Sequence, residues 1–162
     1  MTKSPIEKEK IIAALKEKVQ SELGEIKKAF ASSHDLATSS EMKSEGKYDT
    51  RSIEAGYIAG AQQKRVQELE LELGLLDEIN ISHLPDTVSV GSLVEIKYND
   101  LTRLYFISST AGGSFLSVQG QTIMVISAFS PIGTEVIGLS AKDEFEVEHK
   151  NETRQYQLIS IC

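Results

Sequence analysis

The stretch IIAALKEKVQSELGEIKKAF, residues 11–30, carries apolar side chains that recur at steps of three and four residues. These side chains belong to Ile12, Leu15, Val19, Leu23, Ile26 and Phe30. The spacing puts them on one face of an α-helix, and Lys and Glu cover the other faces. With Ser4 as N-cap and Pro5 in the first helical position, the helix is predicted to run from Pro5 to about Ser32.

A second helix is predicted from about Thr50 to Leu76, where the same apolar spacing returns. Its stripe comprises Val66, Leu69, Leu73 and Leu76, continued upstream by Ile53, Tyr57 and Ala61. Gly56 and Gly60 weaken the upstream half, because each lowers helix propensity by about 1 kcal/mol relative to Ala. Neither helix can bury its stripe alone, so we expect an antiparallel coiled-coil hairpin with arms of roughly 40 Å.

The remainder of the chain has the pattern of a small β-sheet domain. Segments rich in Val, Ile, Tyr and Phe are separated by turn residues, and Lys150-Asn151 suggests a hairpin. The predicted strands are 92–97, 103–108, 121–127, 144–148 and 153–161, with a short helix near 132–139. The fold class is therefore α+β, with an antiparallel sheet in the second domain. We expect a coiled coil at 1–79, a linker at 80–87 and the sheet domain at 88–162.

Composition limits the classes of function. The 162 residues carry a formal net charge of −7, which disfavours direct binding of DNA or RNA, so any link to nucleic acid is expected to run through a partner protein. No apolar stretch is long enough to span a membrane, and the start MTKSPIEKEK lacks the apolar core of a signal peptide. The single cysteine, Cys162, allows no intramolecular disulfide. We expect a cytoplasmic monomer.

Motifs of enzyme chemistry are not apparent in the sequence. His34, His83 and His149 have no metal-binding spacing, and neither a nucleophile elbow nor a phosphate-binding glycine loop occurs. The segment HDLATSSEMKSEGKYDT, residues 34–50, instead places several carboxylates between the predicted helices. Carboxylates are suitable ligands for Mg²⁺ and can complete a metal site whose other ligands belong to a partner, although acidic solvated loops are also common.

The segment SAFSPIGTEVIGLSAKDEFEV, residues 127–147, followed by TRQYQLISI, resembles the C-terminal signature of the bacterial Gre family of transcript-cleavage factors. The positions that fit are Ser127, Ser130, Pro131, Ile132, Gly133, Val136, Ile137, Asp143 and Tyr156. Two positions depart from the pattern: Glu135 replaces a small residue and Lys142 replaces a common Gly. With the predicted hairpin in front of this segment, the resemblance covers nearly the whole chain.

This resemblance implies a coiled coil followed by an FKBP-like domain without isomerase activity. It also implies an accessory factor that is not itself an enzyme and whose partner is RNA polymerase. The C-terminal domain would dock on the polymerase, and Ser130, Pro131, Ile132 and Gly133 are the candidate partner-binding residues. The coiled-coil tip would enter the secondary channel, where its acids help to hold a Mg²⁺ shared with the polymerase, so that backtracked RNA is cleaved. No cofactor is expected to bind stably to this chain alone.

The tip departs from the family pattern. Asp35 and Leu36 are kept, but Thr38 stands where a second acid is expected; alignment from the second helix instead places Glu45 near the family's Asp. The candidate acids are therefore Asp35 with one of Glu41 or Glu45, and Asp49 is expected to be the N-cap or a first-turn residue of the second helix. The alternative function is a secondary-channel regulator that modulates initiation or pausing without cleavage. A catalytic prolyl isomerase is a further alternative by fold analogy.

Overall fold

Two long helices form the N-terminal part of the protein. The computed structural model describes residues 5–38, 50–82 and 84–162, with the side chains of 30, 33–38 and 50–55 excepted. Helix α1 spans Lys8–Thr38 and helix α2 spans Thr50–Glu78. The predicted N-cap Ser4 of the first helix lies outside the described residues, and so does Asp49, the predicted N-cap or first-turn residue of the second.

Helix α1 begins three residues later than its sequence predicts. Pro5 is not helical, because the chain before α1 bonds to a side chain of the sheet domain instead. The Glu7 N–H donates to Oε1 of Gln119 at 2.9 Å, and the Pro5 carbonyl accepts from Nε2 of the same residue at 3.5 Å. At its other end α1 continues to Thr38, so the predicted connection at 34–50 is wrong for its first five residues.

The apolar stripe of α1 is confirmed at the positions whose side chains are described, and that of α2 is confirmed from Val66 to Leu76 but not upstream. Ile12, Leu15 and Val19 are buried, as are Leu69 and Leu76 on α2. Upstream on α2 the prediction is wrong, because Tyr57 and Ala61 are exposed and Ala59 is buried. Among the buried and half-buried positions of α2, one series recurs at steps of three and four: Ala59, Gln62, Val66, Leu69, Leu73 and Leu76. Because Gln62 is polar, the periodicity of apolar residues in the sequence does not reveal this part of the stripe.

Ion pairs connect the two helices in an antiparallel sense. Lys16 pairs with Asp77, and Lys27 Nζ lies 3.2 Å from Glu70 Oε1. The chain divides into two compact units, one formed by Glu17–Gly74 and the other by Met1–Lys16 with Leu75–Cys162. The predicted boundaries at 79 and 88 stay a prediction.

A six-stranded sheet follows the hairpin. Its strands are β1 Leu93–Tyr98, β2 Leu101–Ser108, β3 Phe115–Val118, β4 Gln121–Ser127, β5 Glu144–His149 and β6 Glu152–Ile161. Their order in the sheet is β3-β4-β2-β1-β6-β5. All pairs are antiparallel except β2 with β4, so the sheet is mixed, whereas the sequence predicted an antiparallel one. The predicted hairpin at Lys150-Asn151 joins β5 to β6.

Strand β3 is the element that the sequence prediction misses. It has four residues, and its alternation of exposed Phe115 and Ser117 with buried Leu116 and Val118 is too short to stand out beside the preceding glycines. Because β3 pairs with β4, the chain crosses over from β2 before β4 returns beside it. This crossover is the reason for the parallel pair.

The short helix α3, Pro131–Val136, covers one face of the sheet. Its Val136 is fully buried in a core shared with strands β1, β2, β4, β5 and β6. Among the aromatic residues of that core, Tyr156 stacks on Tyr98 and on Phe145, with ring centroids 4.9 and 5.3 Å apart. The sheet core therefore fixes the position of α3 and of the turn that leads into it.

Candidate functional site

The four predicted partner-binding residues lie where the turn after β4 enters α3: Ser130 ends the turn, and Pro131, Ile132 and Gly133 form the start of the helix. Ser130 is the N-cap of α3, with extended φ and ψ of −74° and 161°, and its Oγ accepts from the Gly133 N–H at 3.0 Å. Pro131 occupies the first helical position, where its missing N–H leaves no bond unmade. The sequence Ser-Pro-Ile-Gly thus begins a helix by ordinary capping chemistry.

Ser127, at the end of β4, holds this turn in place. Its carbonyl accepts from the Ser130 N–H at 3.0 Å and from Ser130 Oγ at 2.8 Å, and its own Oγ accepts from the Phe129 N–H at 3.2 Å. Two glycines leave room for this arrangement. A Cβ on Gly133 would lie 2.0 Å from the Ser127 carbonyl oxygen, and one on Gly112 would lie 2.8 Å from Ser127 Cβ.

The far end of α3 is attached to the segment before β1. The Ile137 N–H donates to the Gly133 carbonyl at 3.2 Å, and Gly138 follows with a φ of +87°, a conformation that favours glycine. The Gly138 N–H donates to the Val88 carbonyl, and the Val88 N–H donates to the Leu139 carbonyl, each at 2.9 Å. The Gly138 position in the signature is therefore explained by backbone geometry.

A groove of about 560 Å³ lies beside the turn. Ser130, Pro131 and Ile132 line it together with side chains of β4, β5 and β6. Most of its lining is apolar and includes Met124, Ile126, Val147 and Tyr156. Gly133 is absent from the lining and is buried against Ser127 instead. The structure thus brings three of the four predicted residues to one surface and gives the fourth a packing role.

Phe129 is a surface residue that the sequence prediction misses. The sequence analysis assigns Phe129 no role, and its side chain is 82% exposed. It lies on the corner between β4 and α3, where its backbone no longer follows the alternation of the strand. The signal that could have found it was its position directly before Ser130 and Pro131, which end the strand.

Of the three candidate acids, only Asp35 lies in the described part of the chain. Asp35 lies on the last turn of α1, and nothing is described of its side chain. Glu41 and Glu45 lie outside the described residues, and so does His83. Within the described residues no group of three or more His, Cys, Asp or Glu side chains could hold a metal ion. The tip acids therefore stay a prediction.

Arg65 joins the two helices in the Glu17–Gly74 unit. Its Nε and Nη2 donate to one oxygen of Glu22 at 3.1 and 2.8 Å, and Glu68 and Glu72 lie within 3.6 Å of its Nη1. The hydrogen bond with Glu22 raises the pKa of the Arg65 guanidinium. Its charge is therefore fixed at any physiological pH, and the cluster serves to hold α1 against α2.

Lys8, at the start of α1, is buried, and its Nζ has no hydrogen-bond partner in the described part of the chain. Loss of hydration on burial lowers the pKa of this ammonium below its ordinary value.

No helix in the described ranges is long and apolar enough to cross a membrane.

The described residues define an α+β protein in which a helical hairpin precedes a mixed sheet. The helix that covers this sheet begins at a capped, exposed turn. No protein-family model matches the chain, and no curated protein does so either.

Solved structures similar to the chain are those of Gre-family factors. The GreA factor homolog 1 (Gfh1) of Thermus thermophilus is 17% identical, with a TM-score of 0.37, over 91% of this chain and 94% of that one. Gfh1 of Thermus aquaticus is 18% identical, with a TM-score of 0.40, over 90% and 92% of the two chains. The prokaryotic transcription elongation factor GreA/GreB from Nitrosomonas europaea is 19% identical, with a TM-score of 0.35, over 59% and 78%.

Proposed function

We propose that this chain is a Gre-type accessory factor of RNA polymerase. It docks on the polymerase through the sheet domain and inserts the end of its helical hairpin into the secondary channel. The observation that supports the proposal most is the turn at Ser130–Gly133. Its sequence resembles the Gre signature, and it is a fixed turn that exposes Pro131 and partly exposes Ser130 and Ile132. The hairpin of α1 and α2 supplies the second part that such a factor needs.

The proposed activity is stimulation of RNA cleavage in backtracked complexes. Asp35 and one of Glu41 or Glu45 would provide carboxylate ligands to a Mg²⁺ held by the polymerase. The second metal site would then be occupied for more of the time. Two metal ions stabilise the attacking and leaving oxygens of an in-line phosphoryl displacement. The chain is then not an enzyme. It contacts DNA and RNA only through the polymerase, acts as a monomer in the cytoplasm, and shares Mg²⁺ without binding a cofactor stably.

A second candidate function is a secondary-channel regulator that does not stimulate cleavage. The observation that favours it is the spacing of the tip acids, because Thr38 stands where the second acid is expected. Helix α1 runs through both Asp35 and Thr38, so Asp35 belongs to a helical turn and not to the connection between the helices. Acids in this arrangement would occupy the metal site and slow nucleotide addition.

One set of variants separates the two functions. Stalled, backtracked complexes with Mg²⁺ are incubated with the wild type, with a triple Ala variant at Asp35, Glu41 and Glu45, or with the control Glu17→Ala/Glu25→Ala/Glu78→Ala. The control removes the same charge from exposed positions on the helices. RNA shortening that is lost only in the tip variant supports cleavage. Slower nucleotide addition that is relieved only in the tip variant supports the regulator. Polymerase binding with neither effect contradicts both.

A further inference from the structure

We propose that Phe129 is the anchor residue of docking and that its ring enters an apolar pocket on RNA polymerase. The inference rests on the proposed function and adds a residue and a mode of contact to it. Phe129 is 82% exposed, the highest value among the exposed large apolar side chains of the described residues. It directly precedes Ser130 and Pro131, which line the neighbouring groove.

The backbone that carries Phe129 is fixed before any partner binds. The Phe129 N–H donates to Ser127 Oγ, and Ser130 is bonded twice to the Ser127 carbonyl. Gly133 packs against the same carbonyl from the helix side. A rigid backbone lowers the entropy that is lost on binding, and an aromatic side chain has only two torsions to restrict. Aromatic residues, phenylalanine among them, are enriched at protein interfaces, where a few residues carry most of the binding energy.

The surroundings of Phe129 indicate an apolar contact and not a charged one. Residues 127–134 contain no charged side chain, in a chain whose net charge is −7. The groove lined by Pro131 and Ile132 continues the surface next to the turn; its exposed lining is mostly apolar, and Glu148, His149 and Arg154 also line it. Little polar surface of residues 127–134 must therefore lose water when the ring of Phe129 is covered. We assign the occupant as an apolar pocket of the polymerase, and we expect the contribution of Phe129 to be nearly independent of salt.

The test is a binding titration of the full chain, labelled at the exposed Cys162, with RNA polymerase core enzyme at 0.1 and 0.5 M NaCl as working concentrations. Phe129→Ala is expected to weaken binding about 30-fold at both salt concentrations, as a hot-spot residue does, and Phe129→Leu by a smaller factor. The matched control is Phe115→Ala, which removes another exposed phenylalanine, on β3, and should change the affinity by less than about twofold. The thermal midpoint of Phe129→Ala should match that of the wild type, because the side chain is exposed.

The outcomes distinguish this inference from the proposed function. If the wild type does not bind the polymerase, the proposed function fails and the inference fails with it. If the wild type binds and Phe129→Ala binds equally well, only the inference is overturned. Sedimentation tests whether the ring of Phe129 instead contacts a second copy of this chain. A wild-type dimer that Phe129→Ala dissociates, with polymerase affinity unchanged, would assign the ring to a second copy of this chain and overturn the assignment to the polymerase.

Discussion

Replacing Gly133 with Ala tests whether the turn at residues 127–133 depends on the close packing of α3 against β4. The added Cβ would lie 2.0 Å from the Ser127 carbonyl oxygen, where ordinary van der Waals contact begins near 3.4 Å. The helix or the carbonyl would have to move by more than about 1 Å, and the neighbour is backbone, which cannot rotate away as a side chain can.

The expected loss of stability follows from the bonds at this carbonyl. Overpacking of a tight site costs about 1–3 kcal/mol. Moving the Ser127 carbonyl also weakens its two hydrogen bonds from Ser130, each worth about 1 kcal/mol. Against this, Ala gains about 1 kcal/mol of helix propensity over Gly. We expect the free energy of unfolding to fall by about 2–3 kcal/mol.

Urea unfolding, followed by circular dichroism, would measure this change. Gly24→Ala is the matched control, because it makes the same substitution inside α1, where an added Cβ meets no atom within 4 Å. It should stabilise the protein by about 0.5–1 kcal/mol through helix propensity alone. A Gly133→Ala variant as stable as the wild type would show that the turn adapts at little cost, and the reasoning from its rigidity would be refuted.

Two further substitutions test the electrostatics of the helices. Lys8→Met should raise the free energy of unfolding by about 1 kcal/mol at pH 7, because the ammonium is buried without a hydrogen-bond partner in the described residues. The pKa of Lys8 is lowered from 10.5 by burial, so between the folded and unfolded values the unfolded chain binds more protons. The free energy of unfolding of the wild type, measured in urea, should therefore increase as the pH rises toward 10.5. The Lys8→Met variant should lack this increase. Arg65→Lys should cost about 0.5–1 kcal/mol, since one ammonium cannot reproduce both bonds to Glu22, and the loss should shrink in 1 M salt.

The hairpin was predictable from the sequence because helical periodicity is a repeated signal. The stripe at Ile12, Leu15 and Val19 is buried as expected. The upstream half of α2 was not predictable from apolar residues alone, because Gln62 occupies a half-buried position of its stripe and Tyr57 is exposed. The start of α1 depends on Gln119, which is more than one hundred residues away and has no local signal.

The sheet was predictable as a set of strands and less so as a topology. Strand β4 has the bounds that the sequence predicts, and its β-branched residues lie between Thr122 and Ile126. Strand β3 has only Leu116 and Val118 to mark its buried face, and the parallel pairing of β2 with β4 follows from where β3 lies. Strand partners are set by tertiary packing, and a short edge strand contributes too few apolar residues for periodicity to reveal it.

The turn at residues 127–133 could be recognised in the sequence because its residues are constrained by local chemistry. Ser130 must accept from the Gly133 N–H, Pro131 must tolerate the loss of a donor, and Gly133 must lack a Cβ. Phe129 obeys no such constraint, since its side chain is exposed and contributes little to the fold, so local chemistry gives no signal for it. A residue that is costly to expose and does not stabilise the fold is best explained by binding, which is why its substitution should change affinity and leave stability intact.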